Sequence, residues 1–223
     1  MASRDFSTLA SRMNPSVPGC PLPMLIQYIR ESAIRTCERT LAWRYEQPTF
    51  ALTPGQYEYT YQRPTDTDVH SIISVTLNDS PLRTSTLEEA TSLYPQWGRA
   101  STTAEDIAEF GGEPRIISQV NSNKYVVLPT PDAQKTYTMR MIYALKPSRD
   151  ALDMDKEVFD ELESVIMHGA LQELLVIPNV GWNNNTLATY HARQYSYRVA
   201  EHRANSNLGN MRASLTVRAR PLA

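Results

Sequence analysis

The chain has 223 residues, 41% of them hydrophobic, and a formal net charge of −2 at pH 7. A chain of this length can bury a sizeable core without metal or disulfide staples. Its two cysteines, Cys20 and Cys37, form no Cys-x-x-Cys pair, no apolar run is long enough to span a bilayer, and the first residues lack a signal-peptide core. This argues against a disulfide framework, a zinc finger and a transmembrane helix, and for a soluble protein made in a reducing cytoplasm.

Residues 1–23 are polar and then proline-rich, with Pro15, Pro18, Pro21 and Pro23 each removing a backbone donor, which predicts an extended arm. Over residues 24–45 the apolar positions Leu25, Ile26, Ile29, Ala33, Cys37 and Leu41 recur at helical spacing and predict an amphipathic helix. After Pro48 the period becomes two. Tyr57, Tyr59 and Tyr61 alternate with polar residues behind Pro54-Gly55, and Tyr137, Met139, Met141 and Tyr143 do the same further on, so residues 49–146 read as a β region. Within it, the stretch 119–128 predicts a hairpin around Asn121-Ser122-Asn123. Ser85-Thr86-Leu87-Glu88 has capping-box form and predicts a short helix over 87–94. Residues 98–114 lack periodicity and predict a loop.

Helical period returns after Pro147, where Val158, Leu162, Val165, Ile166, Gly169, Ala170 and Leu174 make one stripe ending near Pro178. Asn183-Asn184-Asn185 offers caps for a third long helix through residue 204. It presents Leu187, Tyr190 and Tyr197 on one strip and Ala188, Ala192, Tyr195 and Val199 on the next. Residues 205–223 form a tail. The expected class is α+β: three main helices (24–48 and 147–204) with an inserted antiparallel β domain (49–146), an extended amino-terminal arm (1–23) and a carboxy-terminal tail (205–223).

The chain carries no Gly-x-Ser-x-Gly, no phosphate-binding glycine loop and no histidine pair at metal-ligand spacing; His70, His168, His191 and His202 stand singly. No catalytic, cofactor-binding or metal-binding residue is therefore assigned, and an enzyme is not expected. Charge is uneven instead. From 150 to 163 seven acids, Asp153, Asp155 and Glu157 among them, face only Lys156, whereas from 187 to 223 six arginines, including Arg193 and Arg198, face only Glu201. Twelve tyrosines against four phenylalanines, and eighteen arginines against four lysines, favour side chains that bury area while keeping a polar handle, as protein interfaces do.

The segment Ser16-Val17-Pro18-Gly19-Cys20-Pro21-Leu22-Pro23, the helix containing Ile29-Arg30-Glu31-Ser32-Ala33-Ile34 and Cys37-Glu38-Arg39-Thr40, and then Trp43-Arg44-Tyr45 resemble the start of head-to-tail adaptor (connector) proteins of tailed bacteriophages. Gly169-Ala170-Leu171-Gln172-Glu173-Leu174-Leu175, Pro178, Trp182, Tyr190-His191-Ala192-Arg193 and Arg218-Ala219-Arg220-Pro221 look like the closing helices and basic tail of that family. The β region matches in pattern rather than in words. The resemblance implies a virion protein of the neck between head and tail, made in the host bacterial cytoplasm. It implies a homo-oligomeric ring, typically of twelve copies, that binds below the portal protein, extends the DNA channel and offers a surface to a tail or nozzle protein. DNA then passes without specific binding, and neither cofactor nor membrane is involved.

A head-to-tail ring needs two different complementary faces per subunit. Asp153, Asp155 and Glu157 against Arg193 and Arg198 are the expected subunit-interface residues. In the tail, Arg212, Leu215, Val217, Arg218, Arg220 and Leu222 have the form of a docking peptide and are the expected portal-binding residues. The competing reading is a nucleic-acid-binding module using the same arginine-rich segment, which the slightly negative net charge disfavours.

Overall fold

A computed structural model describes residues 2–95, 97 and 111–208. Among these are five α-helices, which we number α1 (Phe6–Met13), α2 (Leu22–Thr40), α3 (Leu87–Leu93), α4 (Lys156–Leu174) and α5 (Asn185–Leu208), and several small sheets. The class is mixed α and β. The amino-terminal segment is not an extended arm. After β1 (Ser3–Asp5), Asp5 accepts from the Ser7 amide and caps α1, whose Phe6, Leu9, Ala10 and Met13 are all buried. Apolar residues at i, i+3, i+4 and i+7 make a stripe, and burial compensates for the helix being too short to persist alone.

Helix α2 starts at the proline-rich turn, where Pro23 sits in the first turn and lacks only a donor that would be unpaired anyway. It ends at Thr40 rather than at 45, because Leu41 turns left-handed (φ 53°) and its amide closes on the Cys37 carbonyl. Residues 44 and 45 therefore belong to β2 (Arg44–Ala51). This strand pairs antiparallel with β11 (Thr138–Pro147), which pairs in turn with β4 (Thr67–Leu77), and β5 (Ser80–Pro81) completes the sheet. The alternation read from sequence in β11 is the burial pattern: Tyr137, Met139, Met141 and Tyr143 are all buried.

A second four-stranded sheet runs in the order β3 (Glu58–Thr60), β9 (Lys124–Leu128), β8 (Ile116–Gln119), β6 (Arg83–Ser85), with only the β6–β8 pair parallel. The expected hairpin is present between β8 and β9, where Asn121 Oδ1 accepts from the amides of Asn123 and Lys124. Helix α3 forms where expected, with its cap one residue later: Thr86 accepts from Glu89. Of the expected loop, residues 98–110 lie outside the described residues. Gly111 and Gly112 form a short strand, β7, beside β10 (Thr130–Pro131). Tyrosines join the two larger sheets. Tyr61 meets Tyr125 at 4.8 Å and Tyr143 at 5.1 Å between ring centroids, and Tyr125 stacks on Tyr59. Burial pushes the Tyr59 phenol up to about 12, so it stays neutral at any physiological pH.

Helix α4 packs against α5 and α2, and α2 also packs on β11, so one continuous core runs from α1 through the helices into both sheets. Where α2, α4 and α5 meet, the buried face of α2 carries Ser32, Thr36 and Thr40 as well as the expected apolar residues. Ser32 donates to the Ile166 carbonyl at 2.8 Å, and Gly169 lets both neighbours approach. A Cβ at Gly169 would overlap Ser32 Oγ and stand 2.8 Å from Tyr195 Cε2. Alanine gains up to about 1 kcal/mol of helix propensity over glycine, but this crossing has no room for it. We expect Gly169→Ala to cost about 1–3 kcal/mol by overpacking, read as a lower urea midpoint at unchanged slope.

Candidate functional site

The acidic run folds into a strand and a helix start. Asp153 and Asp155 lie in β12 (Asp153–Asp155), which pairs antiparallel with β1. Asp155 then caps α4 by accepting from the amides of Glu157 and Val158 at 3.0 and 3.3 Å. Further along, the acids are engaged within the chain: Arg4 and Lys156 pair with Asp160, Arg12 with Glu163, and His202 lies 3.6 Å from Glu161. Those two bases, Lys156 first, hold the Asp160 carboxyl below the usual carboxylate range. Asp153, Asp155 and Glu157 have no such base among the described residues.

These three acids border a cleft absent from the sequence reading. Trp43 and Tyr45 form its wall and Ala2 its rim; one lobe, about 430 Å³, also takes in Asp66 and Asp153, and the other, about 360 Å³, takes in Arg44 and Glu157. Its residues come from four separate stretches of chain, so no local pattern could have signalled it.

The basic segment is less uniform than its sequence. Arg193 is exposed on α5 between the exposed rings of Tyr190 and Tyr197, the residue types that anchor protein contacts. Arg198 is half-buried, with a buried Nε that has no acceptor among the described residues. The structure does not bring Arg193 or Arg198 onto Asp153, Asp155 or Glu157 within one subunit. Arg212, Leu215, Val217, Arg218, Arg220 and Leu222 lie outside the described residues.

His168 and His191, read singly in the sequence, meet across α4 and α5. Their Nδ1 atoms are 2.7 Å apart and both residues are buried, so one ring donates its Nδ1–H to the lone pair of the other, an arrangement that requires the accepting ring to be neutral and that double protonation breaks. Tyr190 packs edge-on against both rings. Burial first, then the nearby His191 and Arg198 charges, hold His168 down to about 4, and burial also lowers His191. An unfolded chain takes up these protons near pH 6.5. Between pH 6.5 and about 4 the unfolded state therefore binds more protons, and the contribution of the pair is lost as pH falls through that window. The expected loss between pH 7 and 4.5 is on the order of 2 kcal/mol. Denaturant melts at both pH values check it: His168→Gln should flatten the dependence, and an unchanged slope would refute it.

Among the described residues no three potential metal ligands converge, and no helix is long and apolar enough to cross a membrane. A further groove, on α2, is lined by Arg30, Glu31, Ile34, Arg35, Glu38 and Arg149. Two of its charges are engaged across the fold, Arg35 by Glu173 and Glu38 by Lys146, and its lining residues include no serine, threonine, cysteine or histidine. No individually curated protein matches the chain. The family model described as SU10 adaptor protein matches residues 5–220, almost the whole chain, including the capped α1, the helical layer and both sheets. The chain therefore belongs to the SU10 adaptor protein family, a family of structural phage proteins.

Proposed function

We propose that this chain is the repeating subunit of a head-to-tail connector ring that binds below the portal, extends the DNA channel and presents the attachment surface for the tail. The observation that carries the reading is the family match over residues 5–220. Two charged surfaces on one subunit support it. Asp153, Asp155 and Glu157 gather at the start of α4 without an internal base among the described residues, and Arg193 stands between two exposed tyrosines on α5. Arg193 is roughly 20 Å along the helix from Ser206 at the usual rise per residue. Such a pair of unlike faces lets each copy join the next head to tail, and rotation closes the ring. Twelve copies, portal binding through the tail residues Arg212, Leu215, Val217, Arg218, Arg220 and Leu222, and free passage of DNA complete the proposal. The protein is then a virion component of the neck.

Electron microscopy of the chain mixed with its portal tests this. The expected image is a ring of added density coaxial with the portal. A chain that remains monomeric and adds no density to the portal overturns the reading.

A further inference from the structure

The cleft beside Trp43 shares one residue, Arg44, with the contact that holds the end of α5. Arg44, on its rim, donates to the Ser206 carbonyl at 2.6 Å, and Leu208 is the last residue of α5. Residues 209–223 follow Leu208 in the sequence. They carry Arg212, Arg218 and Arg220 and no Asp or Glu.

The cleft is chemically the complement of that segment. Asp66, Asp153, Asp155 and Glu157 supply carboxylates. Of the bases nearby, Arg44 is engaged by Ser206 and Lys156 by Asp160 at 2.7 Å. Half-buried Tyr45 adds aromatic surface beside the acids, and Trp43, buried in the core, backs it. Carboxylates next to aromatic faces suit a guanidinium, which pairs with the first and stacks on the second, better than they suit an ammonium. Reach is ample. Arg212 lies four residues beyond Leu208, and a fully extended chain spans roughly 3.3–3.6 Å per residue.

We propose that this cleft binds the chain's own carboxy-terminal segment, residues 209–223, through its arginines. The consequence rests on the portal-docking reading above: the free subunit keeps its tail engaged, and a neighbour whose Arg193 takes the same carboxylates in the ring releases it for the portal.

Trypsin digestion of the full chain at low salt, followed by mass spectrometry, tests the binding without any portal present. The sites are Arg212 and Arg218, since Pro221 blocks cleavage after Arg220. Cleavage at Arg218 should be about fivefold slower in the parent than in the Asp66→Asn, Asp153→Asn variant or in a free peptide of residues 205–223. The difference should vanish at roughly 0.5 M salt. Asparagine keeps the shape of both sites and tolerates the positive φ of 56° at Asp66. If that variant melts early, Glu157→Gln, at an exposed position, carries the same comparison. Equal rates in parent, variant and peptide overturn the proposal. Protection that rises with protein concentration overturns it too, because it would put a neighbouring copy's segment in the cleft. Portal attachment is measured separately, so either idea can fail while the other stands.

Discussion

Leu162→Ala and Ile29→Ala are each expected to lower unfolding stability by about 2–5 kcal/mol, and soluble yield with it. Ile29 on α2 and Leu162 on α4 are both fully buried, and both belong to the core that joins the helices to the sheets. Alanine removes the transfer free energy of the lost carbons and leaves a void, because α2 and α4 are each fixed by further partners, β11 and α5 among them, and cannot simply close on it. Against the roughly 5–15 kcal/mol that separates folded from unfolded domains, either loss is a large fraction. Tyr197→Ala, at a side chain 69% exposed, is the control and should stay within about 0.5 kcal/mol. Urea midpoints for all three decide the matter: parent-like midpoints for Leu162→Ala and Ile29→Ala would mean that the buried helix faces are misassigned.

The faces of α2, α4 and β11 were legible because each displays its period in side chains whose burial is favourable wherever they stand: Leu25, Ile29 and Ala33, then Leu162, Ile166 and Leu174, then Tyr137, Met139, Met141 and Tyr143. Local hydrogen bonding was legible too, at Asn121 in the hairpin and, one residue displaced, at Thr86. Helix α1 was not read, although Phe6, Leu9, Ala10 and Met13 have helical spacing. Eight residues beside a proline-rich run carry little intrinsic helix stability, and tertiary burial decides the outcome. Ser32 and Thr36 escaped for another reason. They are polar by type, and only the approach of Gly169 and Tyr195 shows that small side chains were needed there. The His168–His191 contact and the Trp43 cleft join residues far apart in the chain, and no single window of sequence holds that information.

Deleting residues 209–223 is expected to abolish attachment to portal-containing heads while leaving the melting temperature nearly unchanged. The cut falls beyond Ser206, whose carbonyl Arg44 holds, and beyond the end of α5 at Leu208. Ion pairing of the tail in the Trp43 cleft is surface electrostatics, worth at most about 1 kcal/mol, and its loss moves the melt little. In the proposed ring, attachment differs because it sums over copies. Leu215, Val217 and Leu222 alternate with or flank Arg218 and Arg220, which gives apolar side chains for pockets and guanidinium groups for carboxylates. Individually weak contacts of this kind, repeated around a ring, multiply into a stable joint, so losing them from every copy removes the joint altogether. Arg218→Glu with Arg220→Glu should weaken attachment in the same direction, more at low salt than at high, because screening shrinks the charge contribution. Co-sedimentation with portal reads both variants. Truncated protein that pellets with portal at the parent's level would assign the docking role to another part of the subunit, the first place to test being the amino-terminal segment before α2.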